Sequence, residues 1–168
     1  MRVSLKWLRE YVDFDLAPED LAHRLTMAGL EVSAVEKIGG DWGDTILVGH
    51  VRELEQHPNA DRLKLATVDL GTETLKIVCG APNIESGQKI VLARVGSRLT
   101  DPDSGRDMTL KAARIRGVVS EGMVCSEREL GLGDDHTGII VLPEDAPVGT
   151  LLDNYLGDVV LDIDITPN

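Results

Sequence analysis

Aromatic residues are nearly missing from this 168-residue chain, which has two Trp, two Tyr and one Phe. A core built from its 42% hydrophobic residues is therefore aliphatic. Between residues 41 and 151 Trp42 is the sole Phe, Tyr or Trp, so there is no ladder of stacking rings of the kind that holds single-stranded nucleic acid. Cysteine is scarce too. Cys79 and Cys125 stand far apart, without CxxC spacing or a neighbouring His, which argues against a zinc site and for two buried, reduced thiols. A basic surplus is absent, since 17 Lys and Arg face 29 Asp and Glu, a net charge of −12. No segment escapes this. Residues 1–40 carry five basic against seven acidic groups, residues 41–151 carry 12 against 18, and residues 152–168 none against four. No apolar run is long enough to cross a membrane. Arg2 and Lys6 are not followed by the apolar block of a signal peptide, so a cytoplasmic protein is expected. Gly131-Leu132-Gly133-Asp134 lacks the Lys-Ser/Thr ending of a phosphate loop.

What is present is a series of short Val/Ile/Leu runs broken by Gly, Pro, Asn and Asp. Ile46–Glu55, Leu63–Leu70, Thr74–Val78, Lys89–Val95, Leu110–Val118 and Ile139–Leu142 read as strands. Gly71-Thr72-Glu73 reads as a hairpin turn, His57-Pro58-Asn59 as a turn and Ser126–Leu130 as one helical turn. Their spacing predicts a small closed or nearly closed β-barrel. Outside it, Met1–Val3 can be a strand. Ser4 is an N-cap candidate for a helix carrying Leu5, Leu8 and Val12, with Trp7 and Tyr11 on an adjacent strip. Pro18, Glu19 and Asp20 suit the first turn of a second helix, and Gly29 suits its end. Leu30–Ile38 and Val159–Ile165 alternate and are natural partners, which would bring the two ends of the intervening stretch together. The expected fold is α+β and mostly β. An OB-fold-type barrel (residues 41–151) is inserted into a small α/β domain made of residues 1–40 and 152–168.

No catalytic constellation stands out. His57 at a turn and His136 after Asp134-Asp135 read as structural histidines, and Asp162 with Asp164 as a solvated strand face. No metal ligands and no cofactor are assigned to this piece. The one stretch with binding character is residues 111–123. Lys111, Arg114 and Arg116 lie on or beside a predicted strand, and the two arginines, two apart, are expected to share a face. Two guanidiniums there can clamp a phosphate or stack on a base, or pair with local carboxylates such as Glu121 or Asp107.

The strings H-P-N-A-D-R-L (57–63), V-C-G-A-P-N (78–83) and R-G-V-V-S-E-G-M-V-C-S (116–126) resemble the tRNA-binding OB-fold module appended to several aminoacyl-tRNA synthetases and also found alone. With the opening MRVSLKWLREYV, the GLEVSAVEKIG string and the closing DIDITPN, the chain as a whole resembles the N-terminus of the bacterial phenylalanyl-tRNA synthetase β subunit. The resemblance implies an accessory piece of a longer subunit. Its partners would be the synthetase α subunit, the remaining β-subunit domains and, as a candidate, tRNA. ATP and Mg would belong to the parent ligase. It also implies that Arg114, Arg116, Ser120 and Met123 line an RNA-facing groove. Two other readings stay open, an architectural protein-binding module that does not touch RNA and a stand-alone tRNA-binding barrel.

Overall fold

The computed structural model describes residues 1–165, so the Thr166-Pro167-Asn168 end of the ITPN string lies outside the described residues. The chain forms two compact units. One is Met1–Gly39 together with the stretch from Leu156 onward, and the other is Gly40–Tyr155.

In the first unit, β1 (Arg2–Ser4) runs into α1 (Leu5–Leu8), which Ser4 caps by accepting a hydrogen bond from the Trp7 N–H at 3.0 Å. The expected helix through Val12 is cut to one turn. Glu10 and Tyr11 bond three residues back instead of four, the tightened geometry of a helix end. α2 (Pro18–Met27) opens on Pro18 with Glu19 and Asp20 in its first turn. It closes on Gly29 at φ 95°. There Leu30 N–H reaches Leu25 O at 2.9 Å and Gly29 N–H reaches Thr26 O at 3.0 Å, the two bonds of a Schellman motif.

β2 (Val32–Ile38) and β1 flank β13 (Asp158–Ile163) in an antiparallel sheet ordered β1-β13-β2. The two alternating segments at either end of the intervening stretch are thus paired, Val160 opposite Glu36 and Leu161 opposite Val35. Leu161 and Ile163 are buried with Leu5 and Ala22, and Val3, Phe14, Leu25, Val32 and Val159 pack around them. Asp162 takes no part in that cluster, and one of its carboxylate oxygens lies 3.6 Å from the N-terminal ammonium.

In the second unit the strands are β3 (Ile46–Gln56), β4 (Lys64–Asp69), β5 (Thr74–Cys79), β6 (Lys89–Arg94), β7 (Arg98–Thr100), β8 (Asp107–Thr109), β9 (Ala113–Ile115), β10 (Val118–Ser120), β11 (Gly122–Val124) and β12 (Val141–Leu142). Five of them form an antiparallel sheet ordered β11-β6-β3-β4-β5, with β12 also on β6. The sheet curls until β5 meets the β10–β11 corner, giving a nearly closed barrel of the OB type. The seam between them carries three bonds. Glu121 N–H donates to Lys76 O at 3.0 Å, Lys76 N–H donates to the Glu121 carboxylate at 2.9 Å, and Val78 N–H donates to the Ser120 hydroxyl at 3.0 Å.

β3 explains the two-layered core, because both of its faces are covered. Leu47 and Val51 belong with Val68, Ile77, Ile84, Leu92 and Val124 inside the barrel. Ile46 and Val48 face an outer layer of Trp42, Leu99, Leu130, Leu142 and Leu152. Trp42, 4% exposed, donates its indole N–H to Leu130 O. Leu152–Tyr155, assigned from sequence to the terminal segment, fold as the short helix α3 in the barrel unit, because Leu152 is an apolar anchor of this outer layer. The strand expected over Leu110–Val118 is shorter and turns back on itself. β9 ends at Ile115, and a hairpin takes the chain into β10. β7 and β8, not foreseen, form a hairpin around the polar turn at Pro102–Gly105.

Candidate functional site

The β9–β10 hairpin pairs Ile115 with Val118, which leaves Arg116-Gly117 as a two-residue turn. Both residues have positive φ, 51° and 92°, as a type I′ turn requires. Asn, Asp or Gly usually occupies the first of these positions. Arg116 is the one non-glycine residue with positive φ among the described residues, a conformation that costs an L-residue about 1–2 kcal/mol.

The H-P-N turn holds this tip in place. His57 is 2% exposed, and both its ring nitrogens are engaged. Nδ1 accepts from Asn59 N–H at 3.0 Å, which fixes the proton on Nε2, and Nε2 donates to Ile115 O at 3.1 Å. The Asn59 side-chain amide then donates to Arg116 O at 3.0 Å. The Gln56 amide in turn converges on the carbonyls of Ala60, Asp61 and Leu63, at 2.9–3.1 Å. His57 is structural, as expected, but its work is to bracket the basic hairpin.

This arrangement opens a shallow cleft of about 470 Å³ lined by Asn59, Ala60, Asp61, Arg62, Leu63 and Arg116. Arg62 was not singled out from sequence. Its only signal was its place three residues after Asn59 in the HPNADRL string. The ion pairs of the described residues are Met1–Asp162, Arg2–Glu36, Arg52–Asp69 and Arg94–Glu73. None ties up Arg62, Lys111, Arg114 or Arg116. Glu121, considered as a partner, gives its carboxylate to the Lys76 amide instead.

The remaining candidates part company. Lys111 and Arg114 are exposed, Lys111 ahead of β9 and Arg114 on β9 opposite Val119. Arg114 and Arg116 do not share a strand face as expected, because Arg116 has left the strand for the turn. Ser120 is 4% exposed, accepts from Val78 N–H and donates to Gly122 O at 2.8 Å, so its hydroxyl is occupied by the seam. Met123 is half-buried on β11. It packs on the outer core layer and edges a separate cleft of about 320 Å³ shared with Cys79, Ser126, Glu129, His136 and Thr137. Burial pushes the Cys79 and Cys125 thiols up, which keeps both protonated and unreactive. Among the described residues no group of three or more His, Cys, Asp or Glu is placed to hold a metal ion. No helix among them is long and apolar enough to cross a membrane.

A family model described as "Putative tRNA binding domain" matches residues 46–151, the barrel with its hairpin and bracket. Over its whole length the chain is 51% identical to the phenylalanine–tRNA ligase beta subunit of Dehalococcoides mccartyi, of which it covers 21%. It is 50% identical, over 181 aligned residues, to the subunit of the same name from Salinibacter ruber, of which it covers 22%. The chain thus spans about a fifth of the length of the curated relatives it matches. Among solved structures, the MetRS related protein from Pyrococcus horikoshii aligns with a TM-score of 0.44 at 22% identity, covering 81% of this chain and 96% of that one.

Proposed function

The chain belongs to the tRNA-binding domain family, and from that premise we propose that it is a non-catalytic accessory region from the N-terminal part of a phenylalanine–tRNA ligase beta subunit. Its barrel makes a weak, salt-sensitive contact with RNA backbone. Ligation, with its ATP and Mg, belongs to the parent assembly in the cytoplasm. The partners of this piece are the synthetase α subunit and the remaining β-subunit domains. Stacking on bases has no support in a barrel whose one Trp, Trp42, is buried.

The observation that carries this reading is a hairpin whose basic side chains are exposed and free of ion pairs, on a barrel of the tRNA-binding family. The net charge of −12 opposes any long-range attraction of RNA. Contact is therefore confined to the local patch, within a screening length of about 8–10 Å. Three neutralised phosphates, one each for Lys111, Arg114 and Arg116, give a slope of log K against log salt of about −2.7. That is a loss of roughly 40-fold between about 50 and 200 mM salt.

The test is a salt-titrated binding curve of the 168-residue chain with labelled bulk tRNA. Binding at low salt with a slope near that value supports the reading, and no binding at the lowest salt overturns it. The second outcome would favour an architectural, protein-binding role. That role has an observation of its own in the first unit. There Trp7 (53% exposed) and Tyr11 (68% exposed) form an edge-to-face pair with centroids 5.1 Å apart, beside the exposed Val12.

A further inference from the structure

We propose that the cleft between Arg62 and Arg116 is a binding notch for a single phosphodiester of an RNA backbone. The inference rests on the RNA-binding reading above and assigns to it a ligand group and a residue, Arg62, that the hairpin alone does not contain. Three independent features converge on this cleft.

The first is unspent charge. Most Lys and Arg of this chain stand outside the ion pairs of the described residues, so what marks this site is two arginines on the same cleft. Arg62 and Arg116 line one cleft, and neither is in an ion pair.

The second is conformational. Arg116 stands at a turn position that glycine or asparagine would occupy at lower cost, φ 51°. Strain of this kind persists where the surroundings hold it, and it collects at ligand-binding sites. Here the holding contacts are specific. The Asn59 amide fixes the carbonyl of Arg116 itself, and His57 fixes that of Ile115, one residue before it.

The third is order before binding. The Gln56 amide gathers the carbonyls of Ala60, Asp61 and Leu63, so Arg62 stands in a segment already tied down. A site whose loop is fixed beforehand loses less entropy on binding.

The third charged group on the cleft, Asp61, decides the class of anion. Two guanidiniums and one carboxylate leave a single net positive charge. That matches the one negative charge of an internal phosphodiester. A terminal or free phosphate, at about −1.5 to −2 near neutral pH, would be left overcharged against Asp61. The notch is thus suited to the continuous backbone of an RNA rather than to its phosphorylated end.

The experiment compares the 168-residue chain with Arg62→Ala, Arg116→Gly and, as a control on a different loop, Arg106→Ala. Each is titrated with labelled bulk tRNA across salt and melted in parallel. The expected result is a salt slope shallower by about 0.9, the one phosphate that the two arginines share, for Arg62→Ala and by the same amount for Arg116→Gly, with Arg106→Ala unchanged. The melting temperature of Arg116→Gly stays level or rises, because glycine relieves the left-handed turn. Inorganic phosphate added at constant ionic strength leaves tRNA bound. If the parent chain binds tRNA but Arg62→Ala keeps the full slope, the notch is wrong while the RNA-binding reading stands. A slope lowered equally by Arg106→Ala means diffuse attraction and overturns the notch. A lowered melting temperature for Arg116→Gly also overturns it, by making Arg116 a structural prop. Failure of the parent chain to bind at low salt removes both readings together.

Discussion

Replacing Ser120 with Ala separates a residue that holds the barrel shut from one that touches RNA. Its hydroxyl accepts the Val78 N–H at 3.0 Å and donates to Gly122 O at 2.8 Å, in a position 4% exposed. Alanine removes one oxygen and leaves a hole too small for water. Val78, itself 9% exposed, then has an amide with no acceptor. A buried donor stripped of its partner costs about 1–3 kcal/mol, and the orphaned Gly122 carbonyl adds somewhat less. The expected loss is about 2–3 kcal/mol. In a unit of this size 1 kcal/mol moves the midpoint by roughly 3–5 °C, so calorimetry should show a fall of about 6–15 °C. Amide exchange sharpens the assay, because the Val78 N–H should lose protection ahead of its ladder neighbours on β5. Below the melting range the tRNA salt slope should match that of the unaltered chain. An unchanged melting temperature with weakened tRNA binding would refute the reasoning and return Ser120 to an RNA-facing groove.

Asn83→Ala should cost about 2 kcal/mol by thermal or denaturant unfolding, because the Asn83 amide holds both the N–H and the carbonyl of Ile139 at 2.9 Å; a neutral result would show water replacing it. Gly29→Ala should destabilise the first unit by about 1 kcal/mol through φ 95° alone, since the added Cβ meets nothing within 4 Å. On acidification, Asp69 is held below the usual carboxylate range by the Arg52 guanidinium and the Gly71 N–H, and Asp101 and Asp135 by the Ser104 and Thr137 N–H and hydroxyl groups. Depressed folded values mean that the unfolded chain takes up protons first. Their stabilisation is therefore complete above the ordinary carboxylate pKa and is lost as pH falls through the depressed one. Burial likewise holds the His50 imidazole below its ordinary value, so melting temperature should ease down as pH falls through about 6.5, where the unfolded histidine takes up a proton first, and decline more steeply below about pH 4 as the carboxylate contribution is lost. A curve with no further loss below about pH 4 would refute the carboxylate assignment.

Local chemistry determined much of this molecule. Pro18, Glu19 and Asp20 at one end of α2 and Gly29 at the other mark that helix in any context, because capping groups act within a turn of themselves. The alternating runs at 64–69 and 74–79 and the pair 32–38 and 158–163 are likewise legible, since successive residues of a strand face opposite ways and a half-buried sheet selects apolar side chains at every second position. The resemblance carried by the 57–63, 78–83 and 116–126 strings is matched by relatives about 50% identical over the whole chain. Tertiary structure alone decided which polar groups turn inward. Ser120 looked like a groove residue and became part of the seam because its acceptor role is set by Val78, 42 positions away. Arg116 looked like a strand residue, yet Gly117 and the Asn59 amide, 57 positions from it, hold it in a left-handed turn. Arg62 and Arg116 come to line one cleft because His57 Nε2 and the Asn59 side-chain amide tie the two loops together. Periodicity fixes which way a residue faces along its own strand. The partner that faces it is fixed by the closure of the barrel, and no stretch of sequence short enough to read as a pattern contains both.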